Sequence, residues 1–120
     1  SATAGEETVK RRLRERLSNT KQAIVLIGEK TKNLYRFVRW ELEMCQAMNI
    51  PIVAVNLNGS RSQDDRCPPI IRDKYVVHVP FKAKIIQYAL DNFPEEFSKR
   101  TNDSGPRIYN SSIYEQLGLN

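Results

Sequence analysis

The chain has 120 residues, of which 40% are hydrophobic and 28% are charged, and its formal net charge is +5. This size suits one domain with a real core, and no apolar run is long enough to span a bilayer. Two cysteines and one histidine are too few ligands for a zinc site. We therefore expect a cytoplasmic domain with no metal and no membrane segment, two free thiols and a weak preference for anionic partners.

Helical and strand patterns alternate along the chain. Val9, Leu13 and Leu17 recur every four residues and predict a first helix that ends near Ser18. The apolar run at residues 22–28 predicts a strand that is buried on both faces. The next predicted elements are, in chain order, a helix at 34–48, a strand at 52–55, a strand at 75–80 and a helix at 81–97.

Three buried strands alternating with helices predict an α/β fold, an open parallel sheet with helices on both faces. We expect the domain to occupy residues 1–99 and a carboxyl-terminal tail, 100–120, to dock on it through apolar side chains such as Tyr109 and Tyr114. Domains of this type normally begin with a strand, so the chain is expected to start partway through a domain.

One acid stands out in the predicted helix at 34–48. On a helical wheel with about 100° per residue, Glu41 falls in the middle of an apolar stripe that includes Val38, Cys45 and Met48. In one interpretation the acid flanks the core, and an arginine or a backbone amide satisfies it. In the other it lies at the mouth of a crevice, where a ligand hydroxyl supplies the partner that a partly buried acid requires.

The loop after the first strand is the second candidate, because open parallel sheets bind ligands at the carboxyl ends of their strands. The loop is basic, bears a hydroxyl and leads into a helix N-terminus, a place that suits anions. Its spacing is not that of a P-loop, so an ordinary polar loop is the competing interpretation. The pattern alone favours packing over ligand stacking for Trp40, which follows in the helix.

Two further features favour structural interpretations. His78 lies inside a predicted strand, and no Ser or Cys motif points to it. The basic run at residues 10–16 is diluted by glutamates and is typical of a solvated helix face. We therefore do not expect a nucleic-acid partner.

The string "IVLIGEKTKNLYRFVRWELEMCQAMNIPIVAVNLNG" at residues 24–59 resembles the TIR-like domains of the Thoeris ThsB type, which have a flavodoxin-like fold. The resemblance extends over about residues 6–100. The family's W-V-x-x-E-[IL] pattern is matched by F-V-R-W-E-L at residues 37–42, with Phe37 in place of the first Trp. The family's glutamate therefore maps onto Glu41.

The resemblance implies an enzyme that cleaves the nicotinamide–ribose bond of NAD and makes an ADP-ribose or cyclic ADP-ribose-type signal for an effector in anti-phage defence. Glu41 would be catalytic, holding the ribose hydroxyls and stabilising oxocarbenium charge. NAD would be the substrate, with no bound cofactor and no metal, and the protein would self-associate through TIR-like surfaces. The implied substrate-binding residues are Gly28, Glu29, Lys30, Thr31, Lys32 and Trp40.

The resemblance also implies that the family's first strand, the next helix and the second strand precede Ser1. The chain by itself is then expected to bind NAD poorly and to leave its first strand with an unpaired edge. Two alternatives stay open: a non-catalytic TIR-like interaction module, and a flavodoxin-like domain that binds nucleotides or nucleic acid. NAD turnover separates the enzyme from the module, and salt-sensitive binding to DNA or RNA would indicate the third class.

Overall fold

A computed structural model of the chain describes residues 4–33, 36–101 and 104–119. Leu34, the first residue of the predicted second helix, and the side chain of Phe37 lie outside what is described. Within the described ranges, no helix is long and apolar enough to cross a membrane. The elements are α1 (Ala4–Leu17), β1 (Ala23–Ile27), α2 (Arg36–Ala47), β2 (Ile52–Asn56), β3 (Val77–Pro80), α3 (Ala83–Ser98), β4 (Arg107–Ile108) and α4 (Ser111–Gln116).

The strands form one open parallel sheet in the order β1-β2-β3-β4, which confirms the predicted α/β class. The sequence predicted three strands, and the structure adds β4. This strand has two residues, Arg107 and Ile108, which pair with Val77 and His78 of β3. So short a segment carries no readable alternation of side chains, and for that reason the sequence pattern missed it.

Helices α1 and α2 cover one face of the sheet. Leu13 and Leu17 of α1, placed on one side by their four-residue spacing, are buried against Ile27 of β1 and the inner side of α2. Leu42 and Cys45 are the buried residues among the described side chains of α2. Burying a leucine of this kind contributes about 1.5–3 kcal/mol to the free energy of unfolding, so this face orients α2 firmly on the sheet.

Helix α3 covers the opposite face, above β2 and β3. Ile85, Ala89 and Phe93 are buried there, as are Tyr109 and Tyr114 from the region after α3. The connection from β1 to β2 and the connection from β3 to β4 both lead to the next strand in the same direction across the sheet. The first passes over the face covered by α1 and α2, and the second passes over the face covered by α3. They therefore have opposite hands, and one of them departs from the usual right-handed crossover.

The first strand lies at one edge of the sheet. Its residues Ile24 and Leu26 point to the α3 side but are 50% and 53% exposed, because α3 packs over β2 and β3. The prediction that this strand is buried on both faces was therefore wrong. Only Val25 and Ile27, on the α1–α2 side, are buried.

Candidate functional site

Glu41 lies on the side of α2 that faces α1. Its Oε2 accepts a hydrogen bond from Nη2 of Arg16 at 2.5 Å, forming an ion pair between the two helices. The side chains of Arg16 and Glu41 are 60% and 37% exposed, so solvent reaches both. The acid has the arginine partner of the first interpretation, and its carboxylate remains partly exposed to solvent.

The packing of α2 explains why Glu41 is not in the core. Among the described side chains of this helix, Leu42 and Cys45 are the ones that are fully packed. At about 100° per residue, Glu41 lies roughly 40° from Cys45 and 100° from Leu42, on the edge of the buried side. Burial, and secondarily the nearby Glu41 carboxylate, raises the pKa of the Cys45 thiol to about 11, although Arg16 opposes the effect. Cys45 is thus a protonated packing residue at neutral pH.

Trp40 also faces α1, but it is engaged differently. The Nζ atom of Lys10 lies 4.7 Å from the centroid of its ring, which is a cation–π contact. The ring also packs against the core that α1 and α2 form with one face of the sheet. A depression of about 290 Å³ beside the ring is lined by Lys10, Met44 and Met48, among others. This environment accounts for Trp40 as a packing residue between the two helices.

The loop after β1 forms a compact turn. The backbone N–H of Gly28 donates to Thr31 Oγ1 at 2.6 Å, and the Thr31 hydroxyl donates to the Leu26 carbonyl at 3.3 Å. Thr31 therefore holds the loop rather than presenting its hydroxyl outward. Glu29 and Lys30 are exposed, and neither side chain forms a hydrogen bond or ion pair with another described residue.

A cleft of about 620 Å³ opens on the other side of α2. The cations Lys32 and Arg39 line it, and its far wall comes from the loop between β2 and β3. Arg39 and Glu41 are two positions apart in the helix, about 200° around its axis, so they face opposite sides. The lining residues are Lys32, Asn33, Arg39, Pro68, Pro69 and Ile70.

The structure thus distributes the predicted site residues over three places. Trp40 and Glu41 face α1, Gly28 and Thr31 stabilise the loop, and Lys32 lines the cleft. Sequence reasoning did not find Arg16 as the partner of Glu41, or Arg39 as a cleft residue. The wheel places Arg39 on the side of α2 away from Glu41, but no local signal shows which distant loop it meets.

His78 is part of the core. Its side chain is fully buried in β3, and neither ring nitrogen has a hydrogen-bond partner among the described residues. Burial lowers the pKa of His78 to about 4, although the Asp64 carboxylate opposes this, and the ring is neutral at pH 7. In the part of the chain that the structure describes, no three His, Cys, Asp or Glu side chains cluster as metal ligands.

The family model described as Thoeris protein ThsB, TIR-like domain, matches residues 1–62, which is just over half of the chain. The matched region contains α1, the loop after β1, all of α2 and β2, and both Arg16 and Glu41 therefore lie within it. The comparison with curated proteins finds no match.

Proposed function

The chain belongs to the TIR-like domain family of the Thoeris protein ThsB, a TIR-type family of anti-phage defence, and from this premise we propose that it consumes NAD. NAD is the substrate, and the product is ADP-ribose or a cyclic form of it that signals to an effector. One observation carries the proposal: Glu41, onto which the family's glutamate maps, has a solvent-accessible carboxylate. The described partner of this carboxylate is the long side chain of Arg16.

The reaction breaks the bond between the nicotinamide nitrogen and C1 of the ribose. Nicotinamide leaves with the bonding electron pair as a neutral base, and positive charge develops on C1 and the ring oxygen. Glu41 accepts hydrogen bonds from the ribose hydroxyls and stabilises that charge, as carboxylates do in glycosidases. Water then bonds to C1 and releases one proton to the solvent, which gives linear ADP-ribose. Alternatively, a nucleophilic atom within the ADP-ribose itself bonds to C1 and gives the cyclic product.

The Arg16–Glu41 pair is compatible with this role. An ion pair exposed to this degree contributes only about 0–1 kcal/mol to stability, because water screens it and two long side chains must be ordered. A ribose hydroxyl can therefore take the place of the guanidinium at small cost. Until then Arg16 holds the Glu41 carboxylate in one position beside α1.

Release of nicotinamide from NAD by the protein tests the proposal. We expect Glu41→Gln to lower the rate by about 100-fold or more, since the amide keeps the shape but loses the charge that stabilises the transition state. Glu43→Gln is the matched control, because Glu43 is an exposed acid on the same helix, about 200° away. Equal rates for Glu41→Gln and the unmodified protein would show that Glu41 is not catalytic.

A second candidate function is a non-catalytic interaction module that self-associates. The observation that favours it is the apolar surface at the sheet edge, where Ile24, Leu26 and Leu57 are each about half exposed. In this case the unmodified protein releases no nicotinamide, and Leu26→Lys converts a self-associated species to monomer in sedimentation experiments. Nicotinamide release that depends on Glu41 would show that the protein is an enzyme and not a non-catalytic interaction module.

A further inference from the structure

The cleft on the side of α2 away from Glu41 has no role in the proposed reaction. It combines two cations, one side-chain amide and an apolar wall in a space of about 620 Å³. We propose that this cleft binds a nucleoside diphosphate, with its phosphates on Lys32 and Arg39 and its base against the wall at residues 68–70. This site does not depend on the proposed NAD chemistry.

The charge of the cleft points to an anion. The side chains of Lys32 and Arg39 make no ion pair or hydrogen bond with any other described residue, and no acid is among the described lining residues. Other cations of α1 and α2, such as Arg16 and Arg36, have carboxylate partners. The Arg39 guanidinium offers a fork of donors that matches a phosphate, and Lys32 adds a second positive charge.

The opposite wall points to a flat apolar group beside that anion. Pro68, Pro69 and Ile70 present rings and aliphatic carbons, and Asn33 provides both a donor and an acceptor for a base edge. The volume lies within the range of about 300–1,000 Å³ typical of small-molecule sites and exceeds what a lone phosphate fills. A nucleotide has phosphates for the cationic side of the cleft and a base for its apolar wall.

The wall is held in place without a ligand. Nε2 of Gln46 in α2 donates to the Ile70 carbonyl at 2.9 Å, and the guanidinium of Arg72 donates to the carbonyl of Cys67, which is buried. Pro68 and Pro69 further restrict the backbone. Because the wall is ordered in advance, a ligand loses less binding free energy to ordering the protein.

Calorimetric titration with ADP at low salt tests this site. We expect Lys32→Ala and Arg39→Ala each to weaken ADP binding about tenfold, the loss of one charge-assisted contact. Lys21→Ala is the matched control, an exposed lysine just before β1 and thus at the opposite end of that strand, and it should change affinity less than twofold. Adenosine and pyrophosphate should each bind at least tenfold more weakly than ADP.

Several outcomes would overturn the proposal: no ADP binding, equal losses for Lys21→Ala and the cleft variants, or adenosine binding as tightly as ADP. Glu41→Gln separates this site from the proposed active site. The variant should bind ADP like the unmodified protein even if it no longer releases nicotinamide. Loss of ADP binding in Glu41→Gln would place the nucleotide at Glu41 and contradict a separate site.

Discussion

Arg16 in α1 and Glu41 in α2 form a hydrogen-bonded ion pair at 2.5 Å that joins the two helices on the same face of the sheet. Both side chains nevertheless remain substantially exposed. Glu41 is therefore positioned from two elements: its own helix fixes the backbone, and α1 supplies the cation that orients the carboxylate. A change in either helix alters what this acid presents to a ligand.

The first prediction concerns the strength of this pair. In a double-mutant cycle of Arg16→Ala and Glu41→Gln, we expect a coupling free energy of about 0.2–1 kcal/mol, because exposed ion pairs are screened by water. Urea unfolding of the four proteins measures it. A coupling above about 3 kcal/mol would mean that the pair is effectively buried, and a ribose hydroxyl would not displace Arg16 easily.

The second prediction concerns His78 and pH. Burial lowers the pKa of this ring from 6.5 to about 4, so the unfolded chain binds a proton more readily than the folded one between these values. The contribution of the neutral His78 ring to the free energy of unfolding is fully present above pH 6.5 and is lost as the pH falls towards 4. At about 1.4 kcal/mol per tenfold change in proton affinity, the loss is on the order of 3 kcal/mol.

Unfolding free energies of the unmodified protein and His78→Leu, measured from pH 7 to pH 4, check this sign. His78 is the single histidine of the chain, so the variant removes the titration without touching another imidazole. We expect a flatter profile for His78→Leu above pH 5, where few carboxyl groups titrate. Identical profiles for the two proteins would contradict the lowered pKa.

The third prediction tests the two faces of β1. Ile27 is 1% exposed and Leu26 is 53% exposed, although they are neighbours in the strand. In the 120-residue chain, Ile27→Ala should lower the free energy of unfolding by about 2–5 kcal/mol, since it leaves a cavity in the core. Leu26→Ala should cost less than about 1 kcal/mol. Similar losses in thermal or urea unfolding would show that Leu26 is also covered.

The fourth prediction concerns Tyr114, which anchors α4. Its ring is fully buried and the guanidinium of Arg61 lies 3.9 Å from the ring centroid, while its hydroxyl has no partner among the described residues. Tyr114→Ala should cost about 3–5 kcal/mol, comparable to other large-to-small changes in cores. Tyr114→Phe, the control, should change the free energy of unfolding by less than about 1 kcal/mol. A large loss for Tyr114→Phe would indicate a hydrogen bond to the hydroxyl.

The amino-acid pattern was sufficient for three strands of the parallel sheet and for α2, although it missed β4. Continuous apolar runs give the buried strands β2 and β3. The helix between β1 and β2 gives the parallel arrangement of that pair, since a crossover helix joins strands that run the same way. The F-V-R-W-E-L match at residues 37–42 also pointed to the family that the family model matches. These features are local, or depend on one repeating period, and a single sequence contains that information.

Tertiary structure alone decided what surrounds Glu41. A helical wheel measures angles but does not say which neighbour covers each side of the helix. The wheel was therefore equally compatible with a Glu41 that an arginine or a backbone amide satisfies and with a Glu41 at the mouth of a crevice. The packing of Leu42 and Cys45 against the sheet turned Glu41 towards Arg16, 25 residues earlier in the chain. The same orientation of α2 about its own axis places Arg39 opposite the loop at residues 68–70. Contacts between distant segments depend on how whole elements pack, and no local pattern in the sequence carries them.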